Sequence, residues 1–222
     1  MSKKLEQKQQ RRLAEERRKA EAKREQRKKN LVTLLVAGVV IALVAFLVVS
    51  ERRQLAGPVG VAGEEAGCGE IESVEAFDNQ HIEEGAPHDE YNSNPPTNGP
   101  HYATPSDTGF FTTAIEPERA IHNLEHGQIV IWYDPASPQQ VKDDLEALAE
   151  KAPGVLLVTP YEGLDDFNFY LTAWNKLPNE PKESFGTGYL QGCDAVAQEV
   201  VDEFRRRHQG KSPEPITDTF EG

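Results

Sequence analysis

Apolar and polar positions follow three different patterns along the 222-residue chain. Residues 31–50, LVTLLVAGVVIALVAFLVVS, are almost uniformly apolar and carry no charge. Twenty helical residues rise about 30 Å, the thickness of a hydrocarbon core, so this run predicts a transmembrane helix. A cleaved signal peptide has a short basic start and an apolar core of roughly 7–15 residues, a poorer match to this segment. Residues 1–30 hold Leu5 and Leu13 as their only large apolar side chains, which gives no heptad seam; they predict a solvated basic helix or tail. The Gly- and Ala-rich stretch QLAGPVGVAGEEAG (54–67) predicts a flexible tether, with 51–67 as the linker. From 68 to 208 apolar residues recur in ordered blocks and predict one globular domain, with 209–222 as a flexible tail.

Within that domain Ile71–Phe77 predicts a strand, and the Pro-, Gly-, Asn- and His-rich residues 78–117 a long ordered loop. The run QIVIWY (128–133) predicts a buried strand. Ser137 followed by Pro138 predicts an N-cap, and Val141, Leu145 and Leu148 mark one face of a helix over 138–151. Residues 154–159 (GVLLVT) and 167–174 (FNFYLTAW) predict two more strands, and 194–207 a second helix with Val196, Val200 and Phe204 on one face. The order strand–helix–strand–strand–helix predicts an α+β domain, a mixed sheet with helices packed on it, with a thioredoxin-like topology as one candidate.

Charge divides the chain at the apolar run. Residues 1–30 carry 13 Lys/Arg and five Glu, a net +8; residues 51–222 carry 11 Lys/Arg and 32 Asp/Glu, a net −21. The positive-inside rule then keeps the N-terminus in the cytoplasm and exports the acidic domain, giving a single-pass membrane protein whose first partner is the lipid bilayer, through residues 31–50. Acidity makes the domain a poor nucleic-acid binder. An envelope protein partner remains open.

Two cysteines without a C-x-x-C exclude a cysteine-built zinc ribbon and a dithiol redox centre. Cys68 and Cys193 stand near the two ends of the domain, and in an oxidising compartment a disulfide between them is expected, tying its start to its last helix.

Five of the six histidines, His81, His88, His101, His122 and His126, lie within 46 residues; His208, in RRRH, reads as solvent-exposed. Imidazoles suit copper(II), zinc, nickel and iron. Pro117-Glu118-Arg119 fits a helix start and Gly127 a helix stop, so a short helix over 117–126 would put His122 and His126 on one face at its C-terminal end. The string HNLEH also matches H-x-x-E-H, in which Glu125 would be the general base of a metal-dependent hydrolase. Structural histidines, hydrogen-bonded to buried backbone, are the third reading. In NPPTNGPHY (94–102) two prolines bracket Thr97-Asn98-Gly99, a stiff turn that aims His101. Tyr91, Tyr102, Phe110 and Phe111 would pack that loop. No phosphate loop, serine-nucleophile elbow or kinase signature occurs.

The blocks NPPTNGPHY (94–102), IHNLEHGQIVIWY (121–133) and LTAW (171–174), behind one N-terminal anchor, resemble the bacterial domain of unknown function 3105 over roughly residues 68–215. The resemblance marks His101, His122, Glu125 and His126 as motif residues, with His81 and Tyr91 as weaker correspondences. Asn98 stands where the family usually has Ser. The resemblance implies a membrane protein whose exported domain binds a metal, copper in particular, and does not supply an enzyme activity. The expected site is therefore a transition-metal centre, copper(II) first and zinc second, with His101, His122 and His126 as ligands, His81 or His88 added, and Glu125 and Tyr91 supporting them.

Overall fold

The computed structural model describes residues 57–216, with Asn30 and Gly38 before them. The chain divides into two units, Met1–Gly57 and Pro58–Gly222. Apart from those two positions, the expected basic segment 1–30 and transmembrane span 31–50 lie outside the described residues, as do 217–222. Among the described residues no helix is long and apolar enough to cross a membrane.

The second unit is a mixed α+β fold. Its strands are β1 (Glu72–Glu75), β2 (His81–Ile82), β3 (His101–Tyr102), β4 (Gly109–Phe110), β5 (Ile129–Tyr133), β6 (Leu156–Pro160), β7 (Phe169–Asn175) and β8 (Thr187–Cys193). Its helices are α1 (Pro117–Glu125), α2 (Gln139–Lys151) and α3 (Gln198–His208). Six strands form one sheet in the order β1-β8-β7-β5-β6-β4, while β2 and β3 pair by themselves. Strands β5 and β6 are parallel, joined across α2, and β7, β8 and β1 continue the sheet antiparallel.

Strand periodicity divides the core into two layers. Ile129, Ile131 and Tyr133 of β5 face α2 and α3, together with Leu145, Leu148, Val201 and Phe204. Val130 and Trp132 point the other way, into a second cluster with Ala120, Ile121 and Leu124 of α1 and Trp174 of β7. Alternating side chains put opposite faces of one strand into different layers, which is why β5 is apolar throughout and buried at every position. The histidine-rich region lies on the α1 side.

Several expectations need correction. Strand β8 was not legible, because Gly188, Gln191 and Gly192 interrupt its apolar pattern. Gly188 has a steric reason: a Cβ there would stand 2.0 Å from Thr97 Oγ1. Helix α3 starts at Gln198, four residues later than expected. Ser137 does not cap α2; its hydroxyl donates to the Asn168 carbonyl (2.8 Å) and Pro138 takes the cap position.

The expected linker 51–67 is docked over its described part. Val59 and Ala66 are buried, Val61 N–H donates to the Val196 carbonyl (2.8 Å), and Gly60 bridges Ala197. The expected tail 209–222 is likewise docked over 210–216. Gly210 N–H donates to Gly127 O (2.9 Å), Glu214 N–H to Glu125 O (3.0 Å) and Ile216 N–H to His126 O (3.3 Å). Backbone hydrogen bonding accounts for both, and composition carries no trace of it. Cys68 and Cys193 form a disulfide. His208, expected in solvent, is 7% exposed and lies against Tyr189 and Phe204.

Candidate metal centre

Helix α1 supplies half of the centre. Pro117 opens it and Gly127, at φ 84°, stops it. Residues 120–125 are all buried, so this short helix is enclosed rather than amphipathic in the usual sense. Along HNLEH each side chain has a separate duty. Leu124 enters the core. Asn123 pins the 104–107 loop, donating to the Ser106 carbonyl (2.8 Å) and accepting from its N–H (3.0 Å). His122 and Glu125, three apart, share a face.

The other half comes from the loop 78–117. Its buried turn is built on Thr97 and Asn98, both fully buried. Asn98 Oδ1 accepts from Phe77 N–H (3.3 Å), and its amide donates to Thr97 Oγ1 (2.9 Å) and Asn92 Oδ1 (3.3 Å). Tyr91 hydroxyl donates to the Pro100 carbonyl (2.9 Å). The turn delivers His101 onto β3, where the parallel register sets His81 of β2 beside it. Trp174 of β7 meets the His101 ring edge-on, centroids 5.9 Å apart.

These elements bring His81, His101, His122 and Glu125 together, with one donor atom from each within 4.8 Å of all the others. Glu125 Oε2 lies 2.9 Å from His101 Nε2 and 3.2 Å from His81 Nε2. His122 Nε2 lies 2.8 Å from His126 Nε2. The Nδ1 atoms have different partners. That of His101 donates to the Gly99 carbonyl (2.8 Å), that of His122 to the Tyr102 carbonyl (2.6 Å), and that of His126 to the Glu214 carbonyl (2.8 Å). A carbonyl only accepts, so each Nδ1 holds the proton. A neutral ring then presents a bare lone pair at Nε2. Lone pairs thus face a carboxylate oxygen at 2.9 Å and each other at 2.8 Å. Such contacts require a cation between the donors, either protons or a metal ion.

Electrostatics favours the neutral ring at His122. Burial, with the neighbouring His126 and His101 rings, pushes its pKa down against the pull of the Tyr102 carbonyl. Burial works to raise the Glu125 carboxyl, but the His101 and His81 rings outweigh it and hold it below the usual carboxylate range. Neutral imidazole and ionised carboxylate are the metal-binding forms. Donors around a tetrahedral ion with bonds near 2.0–2.2 Å stand about 3.3–3.6 Å apart, so to hold one the cluster must open its 2.9 Å contact and draw its widest pairs, within 4.8 Å, together by about 1 Å.

Of the expected ligands, His101 and His122 meet in the cluster and are joined by His81. His126 adjoins it through His122. His88 lies apart, its Nδ1 donating to the Asp89 carbonyl (2.7 Å) and its Nε2 facing Glu118 (3.1 Å). Glu125, expected as a supporting residue, is one of the clustered donors. Sequence reasoning missed Asn123 and the main-chain carbonyls; carbonyls that orient imidazoles leave no signal in residue identity.

A family model described as "Protein of unknown function (DUF3105)" matches residues 81–219, a span that includes every residue of the cluster. Among curated proteins and among solved structures no match was found.

Proposed function

We propose that the chain, which belongs to the DUF3105 family, is a membrane-anchored protein whose exported domain binds a transition-metal ion for sequestration, delivery or sensing. The ligands are His81, His101, His122 and Glu125, with His126 adjoining. One observation carries this reading. His101 and His122 give Nδ1 to main-chain carbonyls, and their donor atoms converge with those of His81 and the buried Glu125 carboxylate within 4.8 Å of one another. Hydrogen-bond partners on the far nitrogen are what fix the tautomer and orientation of metal-ligating histidine. Nitrogen-rich donors with one carboxylate oxygen and no sulfur favour copper(II), with zinc second, over copper(I).

The test is titration of the full-length chain with copper(II) and zinc, with metal content measured after desalting. About one ion per chain is expected. A variant carrying both His101→Ala and His122→Ala that still holds a full equivalent with unchanged affinity refutes the assignment. The hydrolase alternative needs a Glu125 free to activate water; Oε2 instead stands against two imidazoles in a residue 1% exposed, which supports a ligand role.

The apolar run 31–50, the basic residues before it and the disulfide support anchoring and export. Protease digestion of intact and opened cells checks this: the domain is cut from outside if exported and protected if not. The segment β5-α2-β6-β7-β8-α3, with strand order β8-β7-β5-β6, supports the thioredoxin-like arrangement. Without a C-x-x-C it carries no dithiol chemistry.

A further inference from the structure

We propose that Arg119 is a positioning residue for the metal centre: with Glu84 it latches the flap 81–87 closed and so keeps His81 in place as the centre's exchangeable ligand. The proposal rests on the metal-binding reading and extends it to how the ion leaves.

The four clustered residues are held unequally. His101, His122 and Glu125 are at most 4% exposed and sit on β3 and α1, which pack toward the sheet. The His81 side chain is 44% exposed. It lies on a two-residue strand paired only with β3, and no residue from 81 to 87 is buried. The flap therefore has no core of its own, and polar ties decide its position. At its base His101 N–H donates to the Gln80 carbonyl (3.0 Å). At its far end His88 Nε2 meets Glu118 (3.1 Å). Between them Gly85 N–H donates to the Tyr102 hydroxyl (3.0 Å), and Glu84 accepts from Arg119.

Arg119 is well placed to act as the latch. It stands on α1 three residues before His122. Its Nε donates to Glu116 (3.1 Å), which aims the guanidinium, and the guanidinium lies 5.4 Å from the Tyr102 ring centroid. Tyr102 in turn holds His122 through its carbonyl and the flap through its hydroxyl. Helix, flap and the β3 platform thus converge on one partly buried cation. Releasing it removes one of the flap's few ties, so that the flap opens more often and His81 withdraws with it, while His101, His122 and Glu125 stay where they are. An ion left on three donors is open to an incoming nitrogen or sulfur donor, the condition for handing it to an acceptor by ligand exchange.

The experiment uses the full-length chain loaded with copper(II). Release to excess EDTA is followed by stopped flow, and electron paramagnetic resonance reports the bound nitrogens. Arg119→Ala should keep the stoichiometry and raise the release rate about three- to tenfold, the range open to a surface ion pair with an aromatic contact. Arg119→Lys should restore most of the slow release. His81→Ala should release faster and lose one nitrogen from the spectrum, and adding Arg119→Ala to it should change nothing further. Equal acceleration by Arg119→Ala with and without His81, or no acceleration at all, overturns the latch. A wild-type chain that takes up no copper overturns the metal reading itself, and the latch with it.

Discussion

Acidification should cost the domain about 2 kcal/mol at pH 5 through His208 alone. Helix α3 carries this residue four positions after Phe204, on the same face, and its ring lies 4.3 Å from Tyr189 and 4.6 Å from Phe204. Its Nδ1 stands 3.3 Å from the Asn175 amide nitrogen, and Nε2 has no partner among the described residues. Burial first, then the positive charges of Lys211 and Arg207, push its pKa down to about 4. In the unfolded chain the ordinary value, about 6.5, returns. Between those values the unfolded chain binds a proton that the native state refuses. The contribution is therefore fully present above pH 6.5, is lost as the pH falls, and levels off below about pH 4, with a total near 3 kcal/mol. Urea denaturation at pH 7.5 and pH 5 measures it, with EDTA present to keep metal out of the balance. Trp132 and Trp174, the chain's two tryptophans, are both buried in the sheet and report on this domain. Wild type should lose about 2 kcal/mol more than His208→Leu between the two pH values. The subtraction cancels the carboxylates common to both. Equal losses in the two proteins would refute the argument that the ring is held neutral by its surroundings.

Three further outcomes follow from contacts around the site. Gly188→Ala drives a methyl group into Thr97, and should cost about 1–3 kcal/mol in denaturation while weakening copper binding by displacing the turn that aims His101. Asn98→Ala strips a fully buried amide of three hydrogen bonds; about 1–3 kcal/mol of stability should be lost, with weaker metal binding in the same titration. Reducing the Cys68–Cys193 bond, which spans 125 positions, should lower stability by up to about 5 kcal/mol by chain entropy, read as a shift in the urea midpoint between the oxidised chain and Cys68→Ala/Cys193→Ala.

Much of the sheet is legible from local pattern. Strands β5, β6 and β7 and helix α2 lie within two residues of where apolar runs and periodicity put them, because each is specified by neighbours a few positions apart. Helix α1 is legible from Pro117 and Gly127. Strand β8 is not, since its glycine makes room for a side chain, Thr97, that lies about ninety positions away in the chain. His208 is a different case. Three arginines precede it and mask the local signal, which is that His208 continues the Val200 and Phe204 face at the same four-residue spacing; packing against Tyr189 then encloses the ring.

Sequence by itself determined the candidate donors: histidines gathered in one stretch, an HNLEH string on a short helix, a proline-bracketed turn before His101, and two cysteines without a C-x-x-C. Tertiary structure decided which of them meet. His81 stands beside His101 because β2 and β3 pair in that register, His88 is turned away to Glu118, and Glu125 comes inward with His122. It also decided which nitrogen each ring offers, through the carbonyls of Gly99, Tyr102 and Glu214. The physical reason is range. Periodicity and turn chemistry act over a few residues, whereas a metal centre depends on distances of a few ångströms between groups tens of residues apart, and those are set only when the whole chain packs.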